Sequence, residues 1–146
     1  MVNTLINVSA YQGAPPDDLD TNKASRKILG GPIYDKDDIL KVLEGGEGAI
    51  RPWTKKCISD LKKYEISHDE VENYIRIALA SGKFKGSEWC KGKNDGVYAA
   101  CDSYQILVKE WVPVAHKEMT FEYYVKFAIG KLGNLMLIIS CHPPED

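Results

Sequence analysis

Six side chains in the C-terminal half of the sequence have types that could do chemistry together: Lys83, Lys85, Tyr104, Tyr124, Lys126 and His142. Lysine, tyrosine and histidine without a carboxylate suit a polyanionic substrate better than a glycoside or an ester. Cleaving RNA without a metal asks for such a set. A base must deprotonate the 2′-OH, cations must hold the charge of the phosphorane, and an acid must serve the leaving 5′-oxygen. Imidazole titrates near neutrality, so His142 is the candidate proton carrier. Each residue also has an ordinary role. Lysine is common on exposed strand faces, tyrosine is a good strand residue, and histidine near a chain end is often solvated.

Other chemistries lack their signatures. The sequence contains no G-x-G-x-x-G, no G-x-S-x-G, no P-loop and no metal-ligand spacing. The acidic clusters Asp17–Asp20 and Asp35–Asp38 have no EF-hand frame and no downstream bidentate glutamate. Cys57, Cys90, Cys101 and Cys141 form no C-x-x-C pair. A zinc site from Cys90, Cys101, Cys141 and His142 would exist only if folding gathered them; packing as small hydrophobes is the commoner fate of such cysteines. The expectation is a site without metal or cofactor.

The elements that must position these residues can be read from pattern. Asp35 can N-cap a helix carrying Ile39, Leu40, Val42 and Leu43, stopping at Gly45-Gly46. A second helix is expected from about Pro52 to Tyr64. Ser67-His-Asp-Glu70 is a capping box that starts a third, ending near Gly82. Strand-like sequence then fills Gly96–Val108, Thr120–Ile129 and Asn134–Cys141, the last two joined as a hairpin through Gly130–Asn134. In Thr120–Ile129, Phe121, Tyr123, Val125 and Phe127 alternate with Glu122, Tyr124, Lys126 and Ala128, so the second set faces away from the core. Helices followed by strands predict an α+β fold, with short N-terminal helices packed on a C-terminal antiparallel sheet. Residues 1–33, with Pro15-Pro16 and Gly30-Gly31-Pro32, read as a partly flexible N-terminal arm, and 34–146 as a single domain.

At 146 residues, with 44% hydrophobic and 27% charged positions, the chain is of ordinary globular composition and long enough to need no metal or disulfide staple. The net charge of −2 hides an uneven distribution, because Arg51–Lys93 holds ten basic against six acidic residues. No apolar run reaches the ~18 residues of a membrane span, and the N-terminal sequence lacks the features of a signal peptide, so a cytoplasmic, membrane-independent protein is expected.

The order of these features resembles the MqsR toxins of the RelE-like endoribonuclease superfamily. The resemblance covers residues 34–142. It rests on the helix Asp38–Glu44 ending in Gly45-Gly46, the helix pair closing on Gly82-Lys-Phe-Lys-Gly-Ser87, the strand Tyr123-Tyr-Val-Lys-Phe127, and the hairpin ending Leu137-Ile-Ile-Ser-Cys-His142. It implies a RelE-like fold and a metal-independent mRNA interferase, the toxin of a toxin–antitoxin pair, with single-stranded mRNA as substrate and a cognate antitoxin as partner. Lys85, Tyr124 and His142 fall where the family has its catalytic lysine, strand tyrosine and final-strand lysine; Lys83, Tyr104 and Lys126 are then substrate-binding. The sequence departs from the family in three ways. Cys101 stands where the central-strand glutamine is expected, and Tyr104-Gln105-Ile106 replaces Tyr-Arg-Pro. Val108–Met119 looks like an insertion, and the chain is not basic overall. The alternative is a non-enzymatic protein- or nucleic-acid-binding module of phage or mobile-element origin on the same scaffold, suggested by the acidic arm and by Trp111.

Overall fold

The computed structural model describes residues 5–145. In chain order the elements are β1 (Ile6–Asn7), a 3-10 turn (Lys23–Arg26), β2 (Lys27–Ile28), α1 (Lys36–Leu43), β3 (Ile50–Pro52), α2 (Lys55–Lys63), α3 (His68–Ser81), β4 (Lys83–Lys91), β5 (Val97–Val112), β6 (Lys117–Ile129) and β7 (Met136–His142). Three helices precede the antiparallel strands β5–β7, as the pattern predicts; β1 to β4 belong to the same sheet but are not marked by the pattern, and β1 to β3 come before α2. No helix among the described residues is long and apolar enough to cross a membrane.

Local chemistry explains the helix starts. The Ser67 hydroxyl accepts from Glu70 N, and the Glu70 side chain answers by accepting from Ser67 N. This capping box satisfies two otherwise orphaned donors. The second helix starts three residues later than the sequence suggests. Ile50–Pro52 instead runs parallel to Met136–Ile138, and Thr54 becomes the N-cap, accepting from Cys57 N and donating to Ile139 O at 2.8 Å. A proline is tolerated there because β3 is an edge strand.

The sheet order is β2-β4-β5-β6-β7-β3, with β1 pairing to the start of β5. Strands β4 to β7 form an antiparallel meander, whereas β1–β5 and β3–β7 are parallel. The residues Val108–Met119, which look like an insertion in the sequence, are the distal half of the β5–β6 hairpin, turned by Pro113–Ala115 and by His116 in the left-handed region.

Helix α3 lays Val71, Tyr74, Ile75 and Ala78 into a core with Tyr104, Ile106, Val108, Val125 and Phe127. Tyr74 stacks on Tyr123 with ring centroids 4.7 Å apart. Removing these side chains from water drives the packing. Helix α2 packs against β7.

Residues 5–33, which the sequence presents as an arm, find their partners in this chain's own sheet. Val8 N donates to Tyr98 O, Ala10 N to Ile129 O, and Lys131 N to Val8 O, so the segment bridges β5 and the end of β6. Leu19 is fully buried against Trp89, Tyr98 and Ala100, a second small core. Lys27–Ile28 adds β2 to the free side of β4.

Candidate functional site

Side-chain alternation on β6 sends Tyr123, Val125 and Phe127 into the core and leaves Glu122, Tyr124 and Lys126 on the opposite face, as the sequence indicates, whereas Ala128, expected with the second set, is fully buried. Residues directly across a ladder share a face. Gln105 opposite Tyr124, Ser103 opposite Lys126, and on β7 Ser140 and His142 opposite Lys126 and Tyr124 therefore join that open face.

Two bulges complete it. On β4 the register shifts between Phe84 and Gly86, leaving Lys85 without a cross-strand partner, and Gly86 takes φ +133°. On β7 it shifts at Ile139, between the pairs Phe127–Ile138 and Lys126–Ser140. An extra residue resets the alternation of the strand beyond it. The result is a groove of about 350 Å³ lined by Lys85, Ser103, Tyr124, Lys126, Ser140 and His142, and bordered also by Tyr104 and Val125.

The charges in the groove are not equivalent. Lys126 is bonded to Glu88. Burial works against its charge, but Cys90 and Glu88 outweigh that and hold its pKa above the ordinary lysine value. Lys85 is exposed and belongs to no ion pair among the described residues. The Tyr124 hydroxyl donates to Glu122 at 3.1 Å, which raises its pKa, and Glu122 also accepts from Gln105. The Tyr124 and His142 rings lie 6.0 Å apart at 46°.

His142 has its Nδ1 2.6 Å from the carbonyl oxygen of Pro143. A carbonyl can only accept, so Nδ1 carries the hydrogen and the neutral ring presents Nε2 as its bare, basic nitrogen. Asp60, His142 and Glu145 place one ligand atom each within 4.8 Å of one another. The Lys56 ammonium already sits between the two carboxylates, 2.6 Å from Asp60 and bonded to Glu145. Its hydrogen bond is also the main reason the Glu145 carboxyl titrates below its usual range.

No protein-family model, no curated protein and no solved structure matches this chain. The site's chemistry therefore rests on its geometry.

Of the six residues singled out from sequence, Lys85, Tyr124, Lys126 and His142 come together in the groove. Lys83 lies on the same face, opposite Gln105, but outside the groove lining. Tyr104 borders the groove, but its ring packs in the core. It is 7% exposed, stacked on Phe127 and tilted against Phe84 in the core, and burial pushes its hydroxyl up to about 12. The reason is register: Tyr104 pairs with Val125, a core position, not with Tyr124.

The cysteine quartet is not assembled either. Cys141 packs toward Cys57 and the helices, while Cys90 and Cys101 lie near Lys126. All four thiols are buried, and burial pushes those of Cys57 and Cys141 up to about 12. The residues that sequence reasoning missed are Ser103, Ser140, Glu88 and Glu122. Ser103 and Glu122 follow from register with Lys126 and from alternation on β6; Ser140 and Glu88 depend on bulges and on β2–β4–β5 pairing, for which no local signal exists.

Proposed function

We propose that this groove binds single-stranded RNA and cleaves it by attack of a 2′-OH on the adjacent phosphorus, without a metal. The observation that carries the reading is one groove holding a lysine without an ion-pair partner, a second lysine, a tyrosine and a histidine whose basic nitrogen is left available. His142 Nε2 takes the proton from the 2′-OH. The new bond from the 2′-oxygen to phosphorus forms as the bond to the 5′-oxygen breaks. Lys85 and Lys126 hold the charge on the phosphorane oxygens, and Lys85 gives a proton to the departing 5′-oxygen. The products are a 2′,3′-cyclic phosphate and a 5′-OH. The Tyr124 ring, beside His142, offers a stacking surface for a base.

Two helices followed by a four-stranded meander are in keeping with a RelE-like scaffold, and on this reading the protein is the toxin of a toxin–antitoxin pair.

The test is to incubate the purified protein with a defined single-stranded RNA in EDTA and identify the product ends. Fragments ending in 2′,3′-cyclic phosphate are expected, with the rate lowered at least ~100-fold by His142→Ala. Loss of all cleavage in EDTA, or full activity of His142→Ala, would overturn this mechanism.

A second reading has its own observation. Leu107 and Trp111 are 64% and 62% exposed on the hairpin, on the same face as the groove. Exposed apolar residues of this size suit a protein partner, as a non-enzymatic binding module would need. A stoichiometric protein complex together with intact RNA in the assay above would favour it.

A further inference from the structure

The open face continues past Lys85. A second hollow, of about 480 Å³, is lined by Lys23, Lys27, Lys85 and Ser103 among others, and it shares Lys85 and Ser103 with the groove. Lys27 lies directly opposite Glu88 across the β2–β4 ladder, so its side chain leaves the sheet on the side where Glu88 meets Lys126. From His142 on β7 to Lys27 on β2 the path crosses β6, β5 and β4. At about 4.8 Å per strand spacing that is about 19 Å, too long for a single phosphate and suited to several along one extended strand.

The charge along this path is available. Lys23, Lys27 and Lys85 are exposed, and none belongs to an ion pair among the described residues. The carboxylate in the second hollow, Glu88, is held by Lys126. Two of the three acidic residues of the arm, Asp18 and Asp20, are engaged elsewhere. Asp18 accepts from Asn22 and from Ser25 at 2.9 Å, and Asp20 accepts from Tyr98 and lies 3.8 Å from Lys91. Burial of Leu19 holds this segment to the sheet and so fixes where Lys23 and Lys27 emerge.

We infer that the N-terminal segment contributes a second phosphate subsite, in which Lys23 and Lys27 hold the backbone of a single-stranded nucleic acid as it continues beyond the cleavage groove. The strand's identity as RNA rests on the function proposed above; the subsite itself requires only a phosphodiester chain. It gives a role to β2, the short strand at the outer edge of the sheet that carries Lys27 onto this face.

The experiment is fluorescence anisotropy with an uncleavable 2′-deoxy octanucleotide and with a 2′-deoxy dinucleotide, over a series of salt concentrations. It compares the full chain with Lys23→Gln/Lys27→Gln; both residues are exposed, and an unchanged melting temperature confirms the variant's fold. For the octanucleotide, Kd is expected to rise at least about fivefold, and the slope of log K against log salt to shrink by about 1.4, at about 0.7 per lost phosphate contact on a single strand. The dinucleotide, which reaches one hollow only, is expected to bind both proteins alike. Unchanged octanucleotide affinity and slope, or an equal loss for the dinucleotide, would overturn the subsite. If the unsubstituted protein cleaves RNA while the variant binds the octanucleotide normally, the subsite alone fails. If the octanucleotide result holds but RNA stays intact, the cleavage mechanism alone fails.

Discussion

Asp102 joins the N-terminal segment to the sheet with one carboxylate. It is fully buried and accepts from Ile33 N and Tyr34 N at 3.1 and 3.2 Å and from the Ser87 hydroxyl at 2.6 Å. Burial nevertheless dominates and raises its pKa above the ordinary 3.8, the hydrogen bonds opposing only part of that shift. The folded state therefore holds this proton more tightly than the unfolded state does. Stability contributed by the group is greatest below pH 3.8 and falls as pH rises through the raised folded value. Asp102→Asn lacks that proton, so the stability of the unsubstituted protein relative to the variant is expected to decline over this window. Denaturant melts at a series of pH values check it, and parallel curves would refute it. At this scale the sequence was informative where a residue's type was enough, as for Lys85, Tyr124 and His142. It was not for Tyr104, whose strand alternates well but whose ring direction depends on which β6 residue lies across from it.

Among the elements, β4 and β7 owe their part in the groove to irregularities. Gly86 adopts φ +133°, a region costly to residues with a Cβ, and nothing crowds the position a Cβ would take. Gly86→Ala is thus a change of backbone strain and not of packing. We expect it to cost about 1–3 kcal/mol, read by chemical denaturation. It should also lower cleavage at saturating RNA, because relief of the strain moves Lys85; a stable variant with unchanged activity would separate the bulge from the site. The capping box at Ser67 and Glu70 could be read directly, since both partners lie within one turn. Neither bulge could, because a bulge is a mismatch between two strands and has no signature in one. The same holds for β3, where a parallel partner 86 residues later outcompetes the helix-like pattern that begins at Pro52.

For the whole molecule, the question is whether the N-terminal segment belongs to the domain. Leu19 is its anchor, with no exposed surface, in a small core with Trp89, Tyr98 and Ala100. Leu19→Ala is expected to cost about 2–5 kcal/mol, the range for truncating a buried leucine. It should also release β2 and weaken octanucleotide binding, while dinucleotide binding persists. A loss of less than about 0.5 kcal/mol would mean that the segment is held by its backbone pairing alone. A Cβ on Gly92, after β4, would lie 2.7 Å from the ring of Trp53, after β3, although β5, β6 and β7 stand between those strands. That closeness places the end of β4 beside the segment joining β3 to α2.

By itself, the sequence determined the α+β class, three helices, the β6–β7 hairpin and the face of β6 that carries Tyr124 and Lys126. All of these arise from interactions within a few residues: side-chain period, capping and turn chemistry. Only the tertiary structure decided that residues 5–33 complete the sheet, that Tyr104 turns inward, and that Lys85 and His142 meet across three strand spacings. Register, bulges and edge pairing are relations between segments far apart in the chain. They are set by which pairing buries the most apolar surface while leaving no backbone group unbonded, and no local pattern records that outcome.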